Sequence, residues 1–502
     1  MKSSEINGEI YKTADEYSSE FNYSLKETAV ILAAGHGKRI KSQTSKMLHK
    51  IWEVPTVERV YDACKTGIPN LNLIIVVGIK AGDVIKVIGK RENTQFAYQA
   101  EQNGTGHAVQ IALEKINPKK YEGTVFVLPG DMGLINSRTM EMFKKEFVKS
   151  KRDMMVLTGL YDGDPNNNQY GRIIRAKDKD INGKSSEKEK GKVIEIMEFK
   201  DILNLDDSKE YIKQFNGKKY SFTKDELLRN NEFNSGVFAF KYKHLVKHIG
   251  KIENKNIQKE IYITDLIALF NRAGLSVGAV SPKQQHVIMG FNNKSVLKKM
   301  EEIARGLAYE SLKDIIEIED PDDFFVDDSV IKEILDQDKK GIPLDVKVGA
   351  GAYIGKGVKL NYNLTVKRQA HIEGNVDLGK NVTIGENVHL SCYENQELKI
   401  GSNTEIMSGD IIKGNVTIGE NCSIESSVNM TGSDDFPLRI GNNVTIKGTS
   451  YLFGSQLGNN LFIEHSVLIK KKVVNSPGGD KVQKIRFYLP KPEGIDVIED
   501  IG

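Results

Sequence analysis

From Val348 onward the chain repeats itself every six residues. Val348, Ile354, Leu360, Val366, Ile372, Leu378, Ile384 and Leu390 follow one another without a miss. After a step of ten, Ile400, Ile406, Ile412, Ile418, Ile424 and Met430 resume the count. A second step of ten leads to Ile440, Ile446 and Leu452, and a step of five to Leu457, Ile463 and Ile469. Glycine often follows the aliphatic residue, as in Ile354-Gly355, Leu378-Gly379 and Ile418-Gly419. A period of six suits neither a helix nor a plain strand. It is the pattern of a parallel β-helix, each hexapeptide one side of a triangular coil with its aliphatic residue stacked inside. At ~18 residues per coil the stretch makes roughly six to seven coils. The ten-residue steps, 391–399 and 431–439, are expected to be loops ejected from the solenoid. Solenoids of this kind commonly trimerise side by side.

The residues before it follow another rule. Short apolar runs alternate with amphipathic helical patterns: TAVIL, 54–66, LNLIIVVG at 71–78, 81–89, Gln95–Gln99, 105–116 and VFVLPGD at 125–131. That alternation predicts a mostly parallel α/β sheet, whose ligands sit at the carboxyl ends of the strands. Strands are expected again at 193–201, 232–242 and 276–282, with helices at 260–274 and 294–317 and a solvated loop or hairpin tip at 177–192. The domain plan is a loosely docked polar extension at 1–27, an α/β domain at 28–293 and a helical and acidic linker at 294–345. The solenoid then occupies 346–475, and a tail 476–502.

With 71 basic and 68 acidic side chains, the net charge of +3 gives no global pull towards nucleic acid or an acidic membrane. Cys64, Cys392 and Cys422 have neither metal spacing nor an even count, which suits a reducing compartment. No apolar stretch is long enough for an ordinary membrane span and residues 1–27 lack a secretory h-region, so a cytoplasmic protein is expected.

Residues 28–51, TAVILAAGHGKRIKSQTSKMLHKI, read as a buried strand running into a glycine loop ringed by Lys38, Arg39, Lys41 and Lys46. Backbone N–H groups and cations converging at the end of a parallel strand can hold a polyphosphate. The loop lacks Walker spacing, and Ile40 stands where a dinucleotide fingerprint needs glycine. QAEQNGTGHAV (99–109) offers two glutamines before Gly104-Thr105-Gly106; an amide can match the edge of uracil, while Thr105 is equally a helix cap. Asp131, past a buried strand, suits Mg²⁺ or an N-cap, and Asn292 a second metal ligand or the cap of the next helix. Gly171 in YGRI, Glu198, Asn234, and Tyr262 with Thr264 are groups of the type that reads sugar hydroxyls. His244 and His248 lack the glutamate of a zinc helix and fit a solvated face.

In order and spacing, LAAGHGKRI…SKMLHK, QAEQNGTGHAV, Gly130-Asp131, YGRI, EFKD, NSG, YITD and GFNN resemble the sugar-1-phosphate nucleotidyltransferases over about residues 28–300. The close match is the uridylyltransferase half of the bacterial bifunctional UDP-N-acetylglucosamine pyrophosphorylase/glucosamine-1-phosphate acetyltransferases. The resemblance implies a Rossmann-like α/β domain followed by a left-handed parallel β-helix, acting on UTP and N-acetylglucosamine-1-phosphate with Mg²⁺ and assembling as a homotrimer through the β-helix. It implies that Leu32, Ala33, Ala34 and Gly35 lie under the nucleotide and that Gln99, Gln102, Gly104 and Thr105 select uracil. Arg39, Lys46 and Asp131 would be catalytic, Asp131 and Asn292 metal ligands, and Gly171, Glu198, Asn234 and Thr264 sugar ligands. Ser45 and Gly133 replace prolines of the family and Phe199 a histidine. The acetyltransferase motifs are not recovered: His371, in RQAHIEGNV, has no tyrosine after it, and SCYEN (391–395) only faintly matches the second motif.

Overall fold

A computed structural model describes residues 3–35, 37–475 and 481–487, the side chains of residues 3–6, Lys38 and Asn166 excepted. Most of the expected tail at 476–502 lies outside these residues. The chain divides into two compact units, Met1–Glu301 and Glu302–Gly502.

The first unit is built on a nine-stranded sheet. Its main path runs Val277–Val280, Met154–Leu160, Glu232–Lys241, Thr124–Pro129, Glu27–Ala33, Leu71–Val77, Thr94–Tyr98. Neighbours on this path are parallel except where Glu232–Lys241 runs against both of its flanking strands. Strand Glu27–Ala33 lies at the centre, with Leu32 opposite Val76 and Pro129. Side chains alternate across it: Ala29, Ile31 and Ala33 enter one apolar layer, Val30 the other. Helices Thr56–Gly67, Ala81–Ile88 and Thr105–Leu113 fall where the apolar periodicity puts them, and Ser137–Ser150 is a further helix.

Three segments depart from the sequence reading. Residues 3–17 form a helix, not a loose extension. Ile10, Ala14 and Tyr17 fall on one face and join the apolar layer beside Tyr98. Asn7 Oδ1 accepts a hydrogen bond from the Tyr98 hydroxyl at 2.8 Å. The predicted strand at 193–201 ends at Met197, and Phe199–Leu203 is helical. His248 is buried, its ring 5.5 Å from that of Phe270, because the last turn of its helix faces the core rather than solvent.

The second unit is the solenoid, a left-handed parallel β-helix with three walls of nine, eight and six parallel strands. Ladder partners lie eighteen positions apart within plain coils (Val348 with Val366, Ile354 with Ile372) and twenty-two where a loop leaves (Ile384 with Ile406, Ile424 with Ile446). From Val348 to Ile463 every sixth-residue aliphatic is buried. Ile469 is the exception. It is exposed, and Leu468 stacks under Leu452 in its place, because the final step is five residues, not six. The acidic segment read as a boundary also joins the stack: Glu317–Ile318 and Phe325–Val326 pair with the first coil.

Coil corners need a left-handed residue, and asparagine tolerates that conformation better than most side chains. Asn381, Asn403 and Asn421 sit there at φ 57°, 57° and 56°. Their amides form a ladder from Asn363 through Asn381 and Asn403 to Asn421 at 2.9, 2.7 and 3.1 Å. Each amide satisfies the next coil. The two ejected loops hold one another: Asn395 Nδ2 and Gln396 Nε2 donate to the Asp434 carboxylate at 3.0 and 2.8 Å.

Asp410 occupies a column otherwise taken by small or aliphatic residues. It is fully buried; Oδ1 accepts from the Val428 N–H at 2.7 Å and Oδ2 has no partner among the described residues. Burial pushes its carboxyl up to about 8. A carboxyl raised on folding leaves the native state most stable below its unfolded value, and that stability is lost as pH climbs through the folded one. Asp410→Asn should therefore raise the melting temperature at pH 8 to 9, by an amount worth on the order of a few kcal/mol, and change little near pH 4. Equal melting shifts at both pH values would contradict a neutral buried carboxyl.

Candidate active site

The carboxyl ends of the central strands open into a cleft of about 840 Å³. Its lining includes Leu32, Ala34, Gly35, Arg39, Gln99, Gln102, Gly104, Thr105, Asp131, Gly171, Glu198, Asn234, Thr264 and Asn292. Two of the sequence-predicted residues do not line it directly. Ala33 is buried in the sheet, and Lys46 is almost enclosed.

Lys46 is nevertheless the junction of the site. Its ammonium forms an ion pair with Asp131 and donates to Asn292 Oδ1 at 2.9 Å, with the Phe291 ring centroid 5.3 Å away. Gly37 makes room for it: at φ 60° its missing Cβ would stand 2.9 Å from Lys46 Cβ. The structural alternatives for both acceptors fall away. Asp131 caps no helix, since Asn136 caps Ser137–Ser150. Asn293 Oδ1, not that of Asn292, accepts from Val296 N–H at the start of the next helix. Asp131 and Asn292 thus bring two hard oxygens to one cation, a donor set that also fits Mg²⁺ completed by substrate phosphate.

On the wall that carries Gly104 the backbone is tightly fixed. Gly106 N–H donates to Ile261 O at 2.7 Å, Ile261 N–H to Asn103 O at 2.8 Å, and Ile263 N–H to Thr105 Oγ1 at 3.2 Å. Thr105 is therefore a tie to the YITD segment rather than a cap; the capping position belongs to Gly104. The glutamine amides are tied inward too. Gln102 Nε2 donates to Ala34 O, while Gln99 Nε2 lies 3.3 Å from Gly104 O and 3.1 Å from His107 Nδ1.

The other wall carries the remaining polar groups. Asn234 N–H donates to Gly171 O at 2.9 Å, and Asn234 Oδ1 accepts from Gly236 N–H at 2.8 Å. This Asn-Ser-Gly is a bulge in strand Glu232–Lys241, where the pairing with Met154–Leu160 slips between Asn234 and Val237. Tyr170 stacks on Phe233 at 4.5 Å and its hydroxyl donates to Gly290 O at 3.3 Å, linking this wall to the Asn292 loop. Beneath it Arg172 is wholly buried, its guanidinium holding the carbonyls of Tyr170 and Asn168. Burial, followed by the Asp201 and Asp265 carboxylates, pushes Glu198 up to about 7. Gln169, Lys200, Gln258 and Glu260 also line the cleft, and none was singled out from sequence. Lys200 stands within EFKD, and Gln258 and Glu260 just precede YITD, so proximity to a motif was the available signal.

The chain's N-terminal half has the fold and cleft of a nucleotidyltransferase, and residues 29–167 match the MobA-like NTP transferase domain. It is 30% identical over 368 residues to the bifunctional protein GlmU of Clostridium beijerinckii, covering 72% of this chain and 71% of that protein. The Clostridium botulinum and Clostridium novyi proteins of the same name are each 32% identical, over 365 and 389 residues, covering 65% and 74% of their lengths and 72% and 75% of this chain. A solved structure described as a glucose-1-phosphate thymidylyltransferase from Bacillus anthracis is 18% identical and covers 56% of this chain and 95% of its own, at a TM-score of 0.37. The chain belongs to the bifunctional GlmU family.

Gly104 tests this wall. It sits at φ 103°, and a Cβ there would meet Ile261 O at 2.6 Å. Gly104→Ala should cost roughly 1–3 kcal/mol of stability, read by thermal melts. A variant with unchanged melting would show that the wall tolerates displacement.

Proposed function

We propose that the first unit transfers UMP from UTP to N-acetylglucosamine-1-phosphate, releasing pyrophosphate and forming UDP-N-acetylglucosamine in the cytoplasm. The observation that carries this reading is the meeting of Lys46, Asp131 and Asn292 between two walls. One wall has the residue types that suit a base, the other those that suit a sugar.

On this reading Leu32, Ala34 and Gly35 lie along the nucleotide, with Ala33 packed behind them. Because the Gln99 and Gln102 amide nitrogens are committed to the protein, each glutamine offers the base its carbonyl oxygen, an acceptor suited to uracil N3–H. Gly171, Glu198, Asn234 and Thr264 face the sugar. A phosphate oxygen of the sugar-1-phosphate attacks the α-phosphorus of UTP in line; the bond to the bridging oxygen breaks and pyrophosphate leaves with its electron pair. Both partners are anions, so the chain's task is alignment and charge cancellation. Arg39, exposed on the glycine loop, and Lys46 supply cations for the phosphates. Mg²⁺, held by Asp131 and Asn292, would neutralise developing phosphate charge when bound.

Pyrophosphate release from UTP with N-acetylglucosamine-1-phosphate and Mg²⁺ is the direct measurement. Lys46→Ala and Asp131→Ala should each lower turnover by at least about a hundredfold while melting remains cooperative. Wild-type rates in either would remove the assigned role.

We assign the solenoid to assembly, as a homotrimer, rather than to acetyl transfer. His371 lacks the family's motif, and its ring is stacked between Tyr353 and His389 at 4.4 and 4.9 Å. Acetyl-CoA with glucosamine-1-phosphate should yield no N-acetylated product by mass spectrometry; product formation would reverse the assignment.

A further inference from the structure

Gln99 follows strand Thr94–Tyr98, lines the cleft and is only 4% exposed. A glutamine amide can offer a ligand either its carbonyl oxygen or its NH₂, and the two orientations have nearly the same shape. The groups behind the amide decide between them. Gly104 O lies 3.3 Å from Gln99 Nε2, and a carbonyl oxygen can only accept. That carbonyl is itself fixed by the Ala108 N–H, which donates to it at 3.2 Å. His107 Nδ1 lies 3.1 Å from the same Nε2. His107 belongs to the first turn of helix Thr105–Leu113 and stands behind Gln99 rather than on the cleft surface.

An imidazole nitrogen can donate or accept, so His107 by itself would suit either orientation. Gly104 O removes that freedom, because turning the amide over would set two carbonyl oxygens against each other. The amide nitrogen therefore faces both neighbours, and His107 Nδ1 is the unprotonated ring nitrogen, with the proton on Nε2. Both amide hydrogens are spent in this way, and Oε1 is what Gln99 has left for a base. An oxygen there accepts from uracil N3–H and repels cytosine, whose N3 carries a lone pair. The contact with Gly104 O is long for a hydrogen bond. Without His107 the amide is held by that contact alone and can turn its NH₂ towards cytosine.

We propose that His107 is a positioning residue for base selection: its Nδ1 locks the Gln99 amide with the oxygen towards the nucleotide, so that the cleft takes a uracil nucleotide and rejects a cytosine one. The proposal rests on the reading of the cleft as a nucleotidyltransferase site with Gln99 at the base.

The test is pyrophosphate release from UTP and from CTP, each with N-acetylglucosamine-1-phosphate. His107→Leu should narrow the UTP-to-CTP ratio of kcat/KM by about tenfold. His107→Asn, whose Oδ1 can stand where Nδ1 stood, should keep most of the ratio. A purely structural role would lower both nucleotides equally, and an unchanged ratio in His107→Leu, or the same loss in His107→Asn, overturns the proposal. A second measurement does not depend on how the variants fold. In the full chain labelled with ¹⁵N-histidine, in buffer alkaline enough to keep imidazoles neutral, His107 Nδ1 should resonate as an unprotonated nitrogen; a protonated Nδ1 overturns the lock. Wild-type protein that uses CTP as well as UTP overturns this proposal alone. No pyrophosphate from either nucleotide overturns it together with the nucleotidyltransferase reading.

Discussion

The ammonium of Lys46 is shared by two oxygen atoms that reach it from 85 and 246 residues further along the chain. Such a nearly enclosed ion pair gains little by itself, since stripping water from both charges offsets most of their attraction. The extra bond to Asn292 and the Phe291 face make the arrangement tolerable. Three segments distant in sequence are thereby drawn to one point. In the Lys46–Asp131 pair cation and carboxylate neutralise each other. On the proposed reading an entering triphosphate would compete for the lysine, and the freed carboxylate would then favour a second cation.

The solenoid was legible because its physics is periodic: one aliphatic residue per side must stack on the one below. The pattern failed where that need was met another way. At Ile469 a one-residue shortening moved the inward position to Leu468. In Glu317–Ile318 and Phe325–Val326 two extended residues suffice to extend a parallel ladder, too few to display a period. The N-terminal helix was missed for a related reason. Its three apolar contacts, Ile10, Ala14 and Tyr17, are sparse among polar residues. Their helical spacing shows only once the layer they cover is known.

In the cleft, what sequence revealed were the motifs that shape backbone. Gly37 and Gly104 stand where geometry excludes a side chain, so their residue types carry information. Asp131 and Asn292 are ambiguous between ligand and cap in sequence, and the capping alternative falls only because the neighbours Asn136 and Asn293 take those roles. One departure from the family pattern is mild in backbone terms: Ser45 adopts φ −55°, close to what the usual proline would impose. Glu198 shows the limit of motif reading. EFKD identifies the residue, but its raised carboxyl depends first on burial in the folded cleft, then on Asp201 nearby and Asp265 far along the chain.

These two walls differ in how much of their polar capacity is already used. On the wall proposed for the nucleotide, Gly106, Thr105, Gln99 and Gln102 are bonded to backbone atoms of the protein, so on that reading little has to rearrange when a base arrives. Preorganised groups of that kind discriminate sharply, because a mismatched partner cannot be accommodated by movement. On the wall proposed for the sugar, Glu198 carries a carboxyl raised first by burial and then by Asp201 and Asp265, so its charge answers to whatever packs beside it. On the proposed reading the fold commits itself on the base and leaves the sugar to be chosen by a handful of side chains. Members of one family can diverge in the sugar they accept while keeping the nucleotide wall intact.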